Sequence, residues 1–381
     1  MAKETVFSNG QIVLVDQVMH GNVVVRDKLI REVDDRHTVT KTSIDLEGDY
    51  LLPGLIELHT DSLEKHLSPR PGVRWPTNEA LLAHDSQIIS AGITSALDAL
   101  AVGDIRDDST RVQDLDEVAT ALDAAHRLNL FHADHYIHLR CEVSCNKLAE
   151  MLSPLVKKNM VRLLSVMDHT PGQRQFLDPE KYKIYYGHKW GMSRSEIEVF
   201  IEQQALQGNH SSAQNRELVS SYCRSHQIPL ASHDDGTLKH VEEAVELGAK
   251  IAEFPTTMDA ARAAHKFGLE VMVGTPNLVC GGSHSGNVSA TEIANEQLVT
   301  ILSSDYAPIS LLHGIFLLAR PNVGLSLARA VACATAAPAH AVGLNDRGKI
   351  APELVADLVR VHILNNLPVI KGVWRNGERT A

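Results

Sequence analysis

Cysteine and aromatic residues are scarce in this chain of 381 residues, and positive charge is outweighed by negative. The five cysteines (Cys141, Cys145, Cys223, Cys280, Cys333) are odd in number and scattered. That excludes a disulfide framework and points to reduced thiols in the cytosol. Lys and Arg number 36 against 47 Asp and Glu, a net charge of −11. A general nucleic-acid or anionic-membrane binder needs a basic surface, so both classes drop out. No apolar run approaches the ~20 residues of a membrane span, and the N-terminal MAKETVFSNG has no apolar core of a secretory signal. A cytoplasmic protein is expected. No short-period repeat or low-complexity tract is present, and no GxGxxG or Walker loop follows an early strand, against a nucleotide-binding open sheet.

Histidine, by contrast, is abundant: 20 residues, against 7 Phe, 7 Tyr and 3 Trp. Imidazole is the commonest side-chain metal ligand, so the excess directs attention to a metal site. A hydrophobic fraction of 44% with 22% charged residues supports a large buried core.

Short β-branched runs open the chain at 11–15, 21–25 and 29–33. From Pro53 to about residue 310 apolar strands alternate with polar turns and amphipathic helices. Candidate strands are 52–58, 92–98, 133–141, 161–168, 228–233, 250–255, 270–275 and 300–305, with helical patterns such as 237–248 and 257–268 between them. This order predicts an α/β fold, a (β/α)8 barrel spanning 53–344. The tail after a helical stretch at 322–342 is again strand-rich. Segments 1–52 and 345–381 are therefore expected to combine into one small β-sandwich domain.

In such a barrel the C-terminal strand ends share one mouth. Those ends carry His59 and Asp61, Asp98, Glu142, Asp168 and His169, His233 with Asp234 and Asp235, Glu253, and Asp305. A lone histidine at a strand end is usually a hydrogen-bonded rim residue. So many carboxylates converging without a cation would be costly, because like charges at close range repel. His and carboxylate donors without thiolate suit Zn²⁺, with Mn²⁺ or Fe²⁺ as alternatives. The donors suffice for two ions, with Glu142 as the bridge between them.

The stretch PGLIELHTD (53–61) resembles the PGxIDxHxH opening of the amidohydrolase superfamily, and Ser304-Asp305-Tyr306-Ala307-Pro308 resembles its strand-eight aspartate. Four longer blocks are similar to one branch of it, the diphosphatases of carbon–phosphorus lyase metabolism: HTDSLEKHLSPRPGVRWP (59–76), MDHTPGQRQF (167–176), SHDD (232–235) and GTPNLVCGGSHSGNVSA (274–290). The resemblance runs along essentially the whole chain. It implies a metal ligand set of His59, Asp61, Glu142, His169, His233 and Asp305, with Asp305 the catalytic base. It also implies water-driven cleavage of a ribose 1-methylphosphonate 5-triphosphate into the 5-phosphate and pyrophosphate. The opening pair is HxD where the superfamily more often has HxH, which makes the site harder and more negative. Glu253 stands near the strand-six position often held by His.

Cations and polar donors gather in the loops expected around the mouth: Lys65, His66, Arg70 and Arg74 after strand one, then Gln173, Arg174, Lys181, Lys183, His188 and Lys189. Residues Gly281, Gly282, Ser283 and His284 begin a glycine-rich loop whose amides could form an anion nest. Lys65, Arg70, Arg174, Lys189 and residues 281–284 are thus the expected substrate contacts, since guanidinium forks and ammonium groups suit phosphate oxygens. A lone loop cation would more often be a solvated surface charge. Two rival readings use the same scaffold: hydrolysis of a C–N bond in a cyclic amide, N-acyl or aminopurine substrate, and a metal-free assembly protein. A homodimer is the expected assembly.

Overall fold

The computed structural model describes residues 4–36, 43–105, 110–171, 174, 180, 182–183, 187, 191–283 and 286–381, with backbone alone at 110–111 and 203–210. Among the described residues five strands precede the barrel: β1 (Glu4–Val13), β2 (Val18–Arg26), β3 (Leu29–Asp34), β4 (Ile44–Asp45) and β5 (Tyr50–Pro53). The barrel strands follow as β6 (Leu55–Thr60), β7 (Ile93–Val102), β8 (Asp134–Glu142), β9 (Val161–Met167), β10 (Leu230–His233), β11 (Ile251–Glu253), β12 (Glu270–Gly274) and β13 (Ile301–Ser303). The chain ends with β14 (Leu358–Leu364), β15 (Leu367–Arg375) and β16 (Glu378–Arg379).

Strands β6 to β13 pair in sequence order, all parallel. A parallel bridge between Thr60 and Asp305 joins the last strand's end to the first. The Ser303 hydroxyl reinforces that seam by donating to the His59 carbonyl at 2.8 Å. Eight parallel strands with helices between them are what the alternating pattern predicts, because each crossover must return the chain to the same end of the sheet.

Period-two alternation is clearest in β8. Ile137, Leu139 and Cys141 join the core beneath the outer helices, so Tyr136, His138, Arg140 and Glu142 face the barrel interior. One floor of that interior is apolar, built from Ile56, Leu58, Leu97, Leu163, Ala231, Ile251, Met272 and Ile301. The polar residues stand one step further along the same strands.

The outer helices are amphipathic and capped. Thr237 and Thr257 accept backbone N–H groups at the starts of Leu238–Glu246 and Met258–Lys266, whose buried sides carry Val241 and Ala244, and Ala260, Ala261, Ala263 and Ala264. Such caps satisfy donors that the first turn leaves free. A 33-residue helix, Arg194–His226, opens with a Ser193–Glu196 capping box and connects β9 to β10.

The two chain ends form a second sheet, ordered β16-β15-β14-β5-β1-β2-β3 with β4 beside β1. The junction is the antiparallel pairing of β5 with β14. Its core includes Phe7, Ile12, Leu51, Leu358 and Trp374, with the Phe7 and Trp374 rings nearly perpendicular at 4.9 Å. Arg347 joins this sheet to the barrel. It lies 2.5 Å from Asp134 at the start of β8 and 3.5 Å from Asp357 just before β14, and it donates to Ser95 at 3.0 Å.

Candidate metal centre at the barrel mouth

Glu253 at the end of β11 is the hub of the site. Its Oε1 accepts from His59 Nδ1 at 2.7 Å and its Oε2 from His233 Nδ1 at 2.6 Å. Both imidazole rings lie parallel, 5.5 Å apart. Burial opposes ionisation of Glu253, yet the imidazoles of His59, His138 and His233 hold its carboxyl well below the usual range. Burial lowers His59, leaving it in the neutral form that ligates metals. On the facing strand, His169 Nδ1 donates to Glu142 Oε2 at 2.7 Å, and Ser144 Oγ donates to Glu142 Oε1 at 2.6 Å.

A histidine whose Nδ1 is held by a carboxylate presents Nε2 outward, and this is how metal-ligating imidazoles are oriented. No described residue hydrogen-bonds Nε2 of His59 or His169. His233 Nε2 lies 3.4 Å from Asp234, and ligand atoms of His169, His233 and Asp234 fall within 4.8 Å of one another. His138 is different. Its Nδ1 donates to the Leu58 carbonyl at 3.0 Å, so Nε2 must accept from Ser165 Oγ, also at 3.0 Å. Both nitrogens are occupied, and burial pushes this ring down to about 3.

Asp305 closes the ring of donors. Burial, then repulsion from Asp61, raises its carboxyl to about 8. A like-charged pair in that condition is stabilised by a cation. Imidazole and carboxylate donors, with no thiolate among them, fit a divalent ion. The backbone is bent to present these groups: Asp234, Phe254 and Asp305, at the ends of β10, β11 and β13, have φ of 59°, 56° and 50°. Asp tolerates that left-handed region in many turns, but a bulky aromatic such as Phe254 seldom adopts it. Glu57, fully buried and raised by burial to about 7, pins the seam beneath. It accepts from the His59 N–H at 2.7 Å, Ser303 Oγ at 2.8 Å and the Ser304 N–H at 2.5 Å.

Of the expected ligands, His59 stacks on His233, His169 packs against His233 and bonds Glu142, and Asp61 and Asp305 lie close enough to repel, but three expectations change. Glu142 does not stand as a free bridge, because both its oxygens are engaged by His169 and Ser144. Arg174 points inward: its guanidinium is buried against Asp235, Ser232 and Glu243, so it is a structural cation rather than a phosphate ligand. The amides of Gly281 and Gly282 both donate to the Asn277 carbonyl as the C-cap of the helix Thr275–Cys280, which leaves neither for an anion nest. Lys65 does reach across the mouth, donating to the Tyr306 carbonyl at 2.8 Å. Arg70 is exposed, and Arg74 pairs with Asp114 at 3.1 Å. Ser283 lines a cavity of about 290 Å³ with Tyr306. Lys189 and His284, with Gln173, Lys181 and His188, lie outside the described residues. A second cavity of about 330 Å³ opens beside Asp61, between Lys65, Leu67, Leu100 and Leu115, a size at the lower end for small-molecule sites.

A separate buried cluster was not anticipated. Asp98 accepts from His84 Nε2 at 2.7 Å and His135 Nδ1 at 2.8 Å, while His135 Nε2 lies 3.3 Å from Asp85. Burial opposes protonation of His135, but Asp98 and Asp85 raise it to about 9. Imidazole–carboxylate hydrogen bonds hold the cluster together. Cys141 and Cys145 are buried free thiols, with Cys141 raised by burial.

Comparison with known proteins completes the picture. The amidohydrolase family model matches residues 196–381. Alpha-D-ribose 1-methylphosphonate 5-triphosphate diphosphatase of Escherichia coli (strain K12) is 43% identical over 375 residues, covering 98% of this chain and 99% of that one. Two solved structures share the fold. N-acetylglucosamine-6-phosphate deacetylase from Pasteurella multocida gives a TM-score of 0.64 at 15% identity, each chain covered in full at 100%. A prolidase crystallised with N-methylphosphonate-L-proline gives 0.64 at 17% identity over 99% of both chains.

Proposed function

This chain belongs to the amidohydrolase family, and from that premise we propose that it hydrolyses alpha-D-ribose 1-methylphosphonate 5-triphosphate to the 5-phosphate and pyrophosphate. The observation that carries the reading is its 43% identity to the Escherichia coli diphosphatase along 98% of its length. The free thiols accord with a cytoplasmic setting.

Two divalent cations, zinc by donor type, would be held by Nε2 of His59, His169 and His233 together with Asp61 and Asp305. Glu253 and Glu142 fix the imidazoles in the ligating tautomer. Cations there would supply Lewis acidity, lowering the pKa of a water toward ~7 and neutralising phosphoryl charge. Asp305 accepts the proton of the attacking water, for which its place at the seam is well fixed. Its N–H donates to Ser303 Oγ at 3.2 Å, and its carbonyl accepts from Thr60 Oγ1 at 2.8 Å. The water oxygen bonds to the α-phosphorus, the bond from that phosphorus to the bridging oxygen breaks, and pyrophosphate departs with the electron pair. Lys65 and Arg70, on the loop after β6, supply charge toward the polyphosphate. Charge placement of this kind dominates phosphoryl transfer.

The test is a product assay on metal-replete protein. Pyrophosphate release from the ribose triphosphate is expected. Ammonia or carboxylate release from cyclic amides or N-acyl compounds, with none from the triphosphate, would reject the reading.

A further inference from the structure

We infer that Arg140 is a catalytic residue of this centre, its guanidinium binding the non-bridging oxygens of the phosphoryl group under attack. The inference rests on the functional reading above and adds a residue that neither the superfamily motif nor the loop charges indicate.

Arg140 lies on β8 between His138 and Glu142, on the face that looks into the barrel. Its side chain is only 10% exposed. Among the described residues its one polar contact is Asp61 Oδ2, at 3.9 Å, beyond hydrogen-bond distance. Its Nε is buried with no partner. Arg216 and Arg375 share an unpartnered Nε, but among the described residues the other arginines buried to a similar degree all have a carboxylate within hydrogen-bond distance: Arg174 to Glu243 at 3.0 Å, Arg216 to Asp168 at 2.6 Å, Arg347 and Arg375 to Asp134 at 2.5 Å and Arg360 to Asp49 at 2.5 Å. Leaving a charged donor buried and unmatched is costly. This one is kept among the residues proposed as ligands, and its charge acts on His59, His169 and Asp305.

A third cation beside a divalent centre is unfavourable in the resting site and favourable once an anion arrives. A neutral amide would gain little from it. A phosphoryl group concentrates negative charge on its equatorial oxygens as the bond to the leaving oxygen breaks, and a guanidinium fork matches those oxygens. The free donors of Arg140 and its place between Asp61 and the His169 side of the mouth fit that role. It also accounts for the inward-turned Arg174, since the phosphate-facing arginine is on a strand and not on the loop.

The experiment compares wild type, R140A and R140K, each loaded with the same divalent cation, using ribose 5-triphosphate as substrate. R140A is expected to keep its metal content while kcat falls ~10²- to 10³-fold, the usual loss for a group that stabilises transition-state charge. KM should move less than kcat, and added guanidinium chloride should restore part of the rate. R140K, which keeps the charge but loses the fork, should fall at least ~10-fold. If R140A does not fold, R140K decides alone. An R140K kcat equal to wild type, an R140A kcat within about threefold of it, or loss of metal in step with activity would overturn the assignment. Calorimetric binding of inorganic pyrophosphate separates this from the functional reading. If wild type releases no pyrophosphate but binds it ~10-fold more tightly than R140A, the functional reading fails and with it the catalytic role, while Arg140 stands as the phosphate-oxygen-binding residue of the centre. Equal binding by both, or by neither, overturns Arg140.

Discussion

Single side chains carry the chemistry here through their partners. Glu253 orients two imidazoles at once, so Glu253→Gln should weaken metal affinity by ~10- to 100-fold, as loss of an orienting partner does. Titration with a metallochromic competitor measures it, and an unchanged affinity would remove Glu253 from the centre. Asp305→Asn should lower kcat by ~10²- to 10⁴-fold, the range for a proton-transfer group, with the melting temperature retained; residual turnover near wild type would exclude it as the base. Most of these residues were legible as polar strand ends in the sequence. Arg140 was not, because an arginine inside an apolar-looking strand (Ile137-His138-Leu139-Arg140-Cys141) carries no mark of its environment, whereas loop cations such as Arg174 draw the eye. Which way a long side chain turns is decided by partners distant in sequence, here Asp235 and Glu243, and a one-dimensional pattern does not contain them.

Elements position these side chains through two buried charge networks. His84 on the helix Thr77–Ser90, Asp98 on β7 and His135 on β8 lock three neighbouring elements together. With His135 raised from 6.5 to about 9 by its aspartates against the opposing effect of burial, its contribution to stability is complete below pH ~6.5. It is lost as pH rises through ~9. Thermal melts from pH 6 to 9.5 should show this decline in wild type and a flatter profile in His135→Asn; identical slopes would contradict it. Beside it, at the start of β8, Arg347→Ala removes the guanidinium next to Asp357 and leaves Asp134 with Arg375 alone. It should cost ~3–5 kcal/mol by denaturant unfolding, as breaking a buried pair does. A loss below ~1 kcal/mol would contradict that, being the size of a surface pair. The eight strands were legible from their periodicity because each is short, apolar and bounded by turns. The glycine-rich loop misled because Gly281, at φ 77°, serves the helix cap that glycine also favours.

As a whole molecule, the barrel supplies a rigid apolar floor and the terminal sheet closes around its own core, so the mouth is free to be polar and strained. Removing metal should therefore abolish activity while the fold persists: chelation should leave far-ultraviolet dichroism intact and lower the melting temperature, with both recovered on adding Zn²⁺ or Mn²⁺. Activity that survives exhaustive chelation would contradict a metal centre. The fold and the family were legible because they are distributed over the entire chain. The orientation of Glu142, Arg140 and Arg174 was not, because it depends on closure of the barrel. The most direct measurement is hydrolysis of the ribose 5-triphosphate in ¹⁸O-labelled water by metal-replete protein. Label in the sugar 5-phosphate, with pyrophosphate unlabelled, is the result expected from attack at the α-phosphorus. Label in pyrophosphate or orthophosphate, or no turnover at all, would contradict it.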